Sequence, residues 1–221
     1  MSDLWPWFTL FGLGAYHGIN PGMGWLFAVA LGLQEKQRWA VLMAIPPIAL
    51  GHALSITAVV VLLWLLQASL PSTAVRYGAA AILFGIGIYR LIRTRHPRWV
   101  GMRVNFRDLT LWSFLMASAH GAGLMLVPIL LAWTEQGGSA HMAHAGHMHA
   151  GHLASKQMTA FAIDWLGAVG VHTLGYLLIT TLIALLVYEK LGLALLRRAW
   201  FNLDLLWVIV LMISGGMILL V

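Results

Sequence analysis

The chain has 221 residues, 61% of them hydrophobic and 9% charged, against about 25% charged in a soluble globular domain. With a mean hydropathy of +0.85, this composition excludes a water-soluble fold and points to an all-α integral membrane protein. The absence of cysteine excludes disulfides, iron–sulfur clusters, thiolate zinc sites and c-type haem attachment. The formal charge of +6 lies between apolar runs and not in a surface stripe, so it reads as membrane topology and not as nucleic-acid binding.

At about 20 residues per span, the apolar runs predict six transmembrane helices in one membrane domain, residues 1–221. Their approximate limits are Trp7–Leu33, Trp39–Leu66, Ala74–Ile92, Leu109–Trp133, Met158–Tyr188 and Trp200–Val221. Met1 to Pro6 lacks the basic start of a signal peptide, and the run after it is too long for one, so it is expected to be retained. Trp39, Trp64, Trp133, Trp165 and Trp200 sit near run ends, as in an interfacial aromatic belt. Glu189 to Arg198 reads as a short amphipathic link. Eleven of the thirteen Lys and Arg residues fall in the loops after the first, third and fifth runs, and only Arg76 and Lys156 fall on the other side. The positive-inside rule then puts those three loops in the cytoplasm, and both termini and the loop at 134–157 outside. The compartment expected is a bacterial inner membrane.

The two halves echo one another. Tyr16-His17-Gly18-Ile19-Asn20-Pro21-Gly22 in the first run corresponds to Ala119-His120-Gly121-Ala122-Gly123 in the fourth. Gly51-His52-Ala53-Leu54-Ser55 in the second corresponds to Val171-His172-Thr173-Leu174-Gly175 in the fifth. The His-to-His spacing is 35 residues in the first half and 52 in the second, and the long loop accounts for the excess. With six spans this is an inverted 3+3 repeat, about 7–92 and about 109–221. Such repeats build a substrate site near the bilayer midplane from interrupted helices.

His17, His52, His120 and His172 each fall near the middle of a run. An ionisable residue at that depth normally faces the bundle interior and marks a pathway or a site, although a single buried His also serves as an interhelical strut. Pro21 removes a helix donor and Gly18, Gly22 and Gly24 weaken the helix, so 18–24 is expected to be a broken segment lined by Asn20. Pro46 and Pro47 are expected to bend the second helix, and Gly121, Gly123 and Pro128 the fourth. Neutral imidazole suits zinc, copper, iron and nickel. Asp164 is an acidic residue well inside an apolar run, two helical turns before His172, and a deep dication has little carboxylate compensation. Met23, Met116 and Met125 suit a soft ion, or serve as flexible packing.

Residues 141–152 hold five histidines, His141, His144, His147, His149 and His152, and two methionines in twelve positions. The tract has too few large apolar side chains to build a core, and its imidazoles are fit to contact metal with little geometric constraint. On the outer face it would concentrate, buffer or sense the ion.

The segments His17-Gly-Ile-Asn-Pro21-Gly22-Met-Gly24 and Gly51-His52-Ala-Leu-Ser55 resemble the first- and second-helix motifs of the NicO and HupE/UreJ nickel/cobalt transporter families, within the lysine-exporter superfamily. Asn20 and Met23 stand near positions where those families carry an acidic residue and a second histidine, and the His-rich loop here follows the fourth run and not the third. The resemblance implies a secondary transporter for a transition-metal cation: nickel/cobalt, or copper/zinc. Its expected metal-binding residues are His17, Asn20, His52, His120, His172 and the five loop histidines, with alternating access between the repeats and histidine protonation as a route to proton coupling. No acid–base pair or activated nucleophile at depth points to an enzyme. Two other readings stay open: a b-type haem electron carrier with paired axial histidines, and a metal-delivery or assembly subunit of a membrane complex. The expected partners are the lipid bilayer, the metal ion, and a second copy or a membrane partner subunit.

Overall fold

The apolar runs fold as helices. The computed structural model describes residues 4–92, 105–132, 150–191 and 203–220, and every regular element among them is helical. In chain order these are α1 (Trp5–Ile19), α2 (Trp25–Glu35), α3 (Arg38–Ser69), α4 (Ser72–Ile92), α5 (Phe106–Ala119), α6 (Leu124–Ala132), α7 (Ala150–Leu186) and α8 (Leu203–Leu220). Two stretches are long and apolar enough to cross a membrane, Arg38–Gln67 and Trp165–Lys190; α5 and α6 make a third if the bent pair counts as one span.

The first run is two helices, because the chain leaves helical geometry between Asn20 and Gly24, within the segment 18–24 where a break is expected. The fourth run is also two helices, meeting at 48°, at the expected bend around Gly121 and Gly123. By contrast, α3 stays a single helix of 32 residues through Pro46 and Pro47. Helices in membranes tolerate proline where neighbouring groups re-satisfy the freed carbonyls. The fifth helix begins at Ala150, inside the His/Met tract, and closes in a π-helical turn at Val187–Leu191. At the start of α5, Asn105 and Asp108 cap each other's backbone amides, which fixes where the helix leaves the Arg-rich segment.

Burial is inverted relative to a soluble protein. Leu50, Leu54, Val61 and Leu65 on α3, and Leu174, Leu178, Leu182 and Leu186 on α7, form exposed apolar stripes at helical spacing. The polar side chains His17, His52, Ser55, Ser113, His120 and His172 are buried. Trp39 and Trp64 are exposed near the ends of α3, as an interfacial belt requires, whereas Trp165 is buried in the core.

The principal helix pairs are α1 with α7, α3 with α5, and α4 with α8. Small residues let the first two pairs close tightly. A Cβ on Gly14 would overlap the His172 carbonyl, one on Gly175 the Phe11 carbonyl, and one on Gly51 the Thr110 carbonyl. Gly14→Ala is therefore expected to force α1 from α7 and to destabilise the protein by about 2–3 kcal/mol. Gly12→Ala, two residues away and facing open space, is expected to leave stability unchanged or slightly raised. Thermal unfolding in detergent checks the contrast.

Candidate functional site

The first helix break is a consequence of Pro21. It has no amide hydrogen, so the His17 carbonyl loses its usual partner and the Asn20 amide donates to it instead, at 3.2 Å. The chain then makes a 3₁₀ turn, Pro21–Met23, and reverses at Gly24 with φ +134°. A side chain at Gly24 would be strained in φ and would collide with Ile48. Three of the groups freed by the break find a side chain. Asn20 Oδ1 accepts from the Gly22 amide at 2.9 Å. Trp25 Nε1 donates to the Ile19 carbonyl at 2.9 Å. The Tyr176 hydroxyl donates to the Met23 carbonyl. This is the accounting that non-helical backbone demands at membrane depth.

The second break follows the same plan. His120 ends α5, Gly121 takes φ +70°, and a 3₁₀ turn covers Leu124–Leu126. The two 3₁₀ turns start 103 residues apart, at 21 and 124, and so do the two histidines, at 17 and 120. His17 Nδ1 lies 2.7 Å from the Leu13 carbonyl and His120 Nδ1 lies 2.8 Å from the Met116 carbonyl. A carbonyl only accepts, so both neutral rings carry hydrogen on Nδ1.

Three of the four deep histidines meet. The rings of His17 (α1), His52 (α3) and His172 (α7) have centroids 5.5 Å apart for 17–52, 4.9 Å for 17–172 and 5.6 Å for 52–172. All three are fully buried. Both ring nitrogens of His52 are buried without a hydrogen bond among the described residues. The same holds for His172, whose ring faces the Leu10 carbonyl outside hydrogen-bonding geometry. Tyr176 stacks on His52 with centroids 3.9 Å apart and planes 13° apart. His120 and Asn20 flank Gly22: a Cβ there would lie 3.3 Å from Asn20 Oδ1, 3.5 Å from Met116 Cε and 3.9 Å from His120 Cε1.

Two imidazoles on one tetrahedral ion at about 2.1 Å place their centroids roughly 5 Å apart, close to the spacings here. The nitrogens do not converge as the rings stand. His52 and His172 are nearly parallel, at 9°, and among the described residues no three His, Asp or Glu side chains are arranged around a common metal position. Ring rotation within the cluster would be needed. The buried polar donors described are all uncharged types or histidine, namely His, Asn, Ser and Thr. Met23, Met116 and Met125 are buried beside the two breaks.

His141, His144, His147 and His149 lie outside the described residues. So does the side chain of His152, whose backbone lies in the first turn of α7, and that of Asp164. Sequence reasoning missed Tyr176, Trp25 and Ser113, whose hydroxyl donates to the Ile48 carbonyl at 2.6 Å. The available signal was position: Tyr176 follows His172 by one helical turn in an apolar run. It also missed the Ser55–Ser118 hydroxyl pair, 2.8 Å apart between α3 and α5. A Ser55→Ala/Ser118→Ala double-mutant cycle, read by unfolding in detergent, is expected to give about 0.6–1.5 kcal/mol of coupling. Comparison with family models, curated proteins and solved structures finds no match.

Proposed function

We propose that this protein is a secondary transporter that moves a transition-metal cation across the inner membrane through a site formed by His17, His52 and His172. Asn20 and His120 line the adjoining path. The observation that carries the reading is the meeting of three fully buried imidazoles from three separate helices. Burying the ring nitrogens of His52 and His172 without hydrogen bonds costs free energy, and a cation that takes up a lone pair from each offsets that cost.

The reading includes six spans in an inverted 3+3 repeat. Its support is the shared 103-residue offset of histidine and 3₁₀ turn, the matching Nδ1 bonds, and the pairing of α1 with α7 and of α3 with α5. A two-fold axis in the membrane plane would exchange those pairs and map α4 onto α8. Alternating access then consists of one repeat moving on the other about the two breaks. The His/Met tract on the outer side supplies or senses the ion.

The absence of carboxylates from the described buried donors favours a soft monovalent cation, copper(I), over nickel(II) or zinc(II). A haem carrier is less well supported. A porphyrin must pass between its axial imidazoles, whereas these rings pack against one another and Tyr176 covers His52. The test is uptake by reconstituted vesicles enclosing a metal-sensitive dye. Uptake above that of empty vesicles is the expected outcome, and equality with them refutes transport.

A further inference from the structure

Tyr176 heads the largest fully buried side chains described, and transport as set out above leaves it without a part. Two of its contacts join the two working features of the site. The ring stacks on His52, and the hydroxyl serves the Met23 carbonyl in the first break. In an unbroken helix that carbonyl would accept from the Phe27 amide. Here Phe27 donates to the Gly24 carbonyl at 3.0 Å, and Tyr176 replaces the missing donor. The corresponding residue of the other half is Ile56, four after His52, which has no group to donate. Ile56 therefore cannot hold the second break in this way.

We infer that Tyr176 is a positioning residue that ties the orientation of the His52 ring to the closed state of the break at 21–24. An imidazole that turns to take a ligand leaves the Tyr176 face, the tyrosine loses its stack, and its hydroxyl loses its aim at Met23. Occupancy of the cluster is thereby passed to the hinge of the first broken helix. That last consequence rests on the transport reading; the tie between ring and break does not.

The test uses the purified full chain in detergent without metal, with amide hydrogen exchange followed by mass spectrometry. Tyr176→Phe keeps the ring and removes the donor. It is expected to speed exchange across Gly22–Ala28 about tenfold, the worth of one buried neutral hydrogen bond, and to leave α4 and α8 unchanged. His52→Leu removes no hydrogen bond of the break, since neither ring nitrogen makes one among the described residues, yet is expected to speed the same amides, and the double variant is expected to exchange no faster than Tyr176→Phe alone. Trp25→Phe, which removes the separate bond to Ile19, is expected to add to His52→Leu. Unchanged exchange in Tyr176→Phe, or effects of Tyr176→Phe and His52→Leu that multiply, overturns the tie. Should Tyr176→Phe not fold, unchanged exchange in His52→Leu overturns it alone. Loss of transport with the exchange pattern intact counts against the transporter and not against the tie.

Discussion

Vesicles carrying the His17→Ala/His52→Ala variant are expected to show no metal uptake above empty vesicles, while either single variant loses at least about tenfold. A metal site typically loses 10–100-fold for each supporting group removed, and the trio reduced to His172 alone has lost two of its three imidazoles. The imidazoles at 17 and 52 come from α1 and α3, 5.5 Å apart and fully buried, so no neighbouring side chain takes their place from solvent. A retained elution volume and helical signal in detergent separate loss of function from loss of fold. Full uptake by the double variant would mean that ions take another route.

The second large effect concerns the charge of the cargo. Moving a monovalent ion from water to a medium of low dielectric costs of order 20 kcal/mol before ligands compensate it, and the cost rises with the square of the charge, about fourfold for a dication. Carboxylates ordinarily supply the missing balance, and the buried polar residues described here include none. Silver(I), a redox-stable substitute for copper(I), is expected to compete with the transported ion at least about a hundredfold more effectively than nickel(II) or zinc(II). Competition in vesicle uptake checks this. Preference for nickel(II) or zinc(II) would overturn the charge assignment and leave transport standing; it would also point to a carboxylate such as Asp164 in the site.

Much of this was legible in the sequence because its causes are local. Pro21 lacks a donor wherever it sits, so the break at 20–24 follows from the residue itself, with Gly24 the residue able to reverse the chain. Four histidines in apolar runs have to turn inward, and the structure buries all four. The limits of legibility were in tertiary partners. Pro46 and Pro47 do not end α3, which continues through them as one helix, because helix continuity there depends on groups outside the local sequence. Tyr176 reads as one aromatic among many in an apolar run. Its role follows only from the arrival of Met23 and His52 at its two ends, contacts spanning 153 residues in one case. Which histidines meet ring to ring was also hidden. His17, His52 and His172 do so, while His120 is brought to Asn20 and Met116 beside Gly22, and that choice is made by how α1 packs on α7 and α5 on α3.

The most direct measurement is X-ray absorption at the copper K-edge on purified protein loaded with copper(I), in a variant whose five loop histidines, 141, 144, 147, 149 and 152, are replaced by alanine. A cluster that closes on one ion gives one copper per chain with two or three imidazole nitrogens at about 2.0 Å, a signal lost in the further His17→Ala/His52→Ala variant. Copper that fails to bind once the loop histidines are gone, or a spectrum without imidazole scattering, would show that the buried rings only pack against one another.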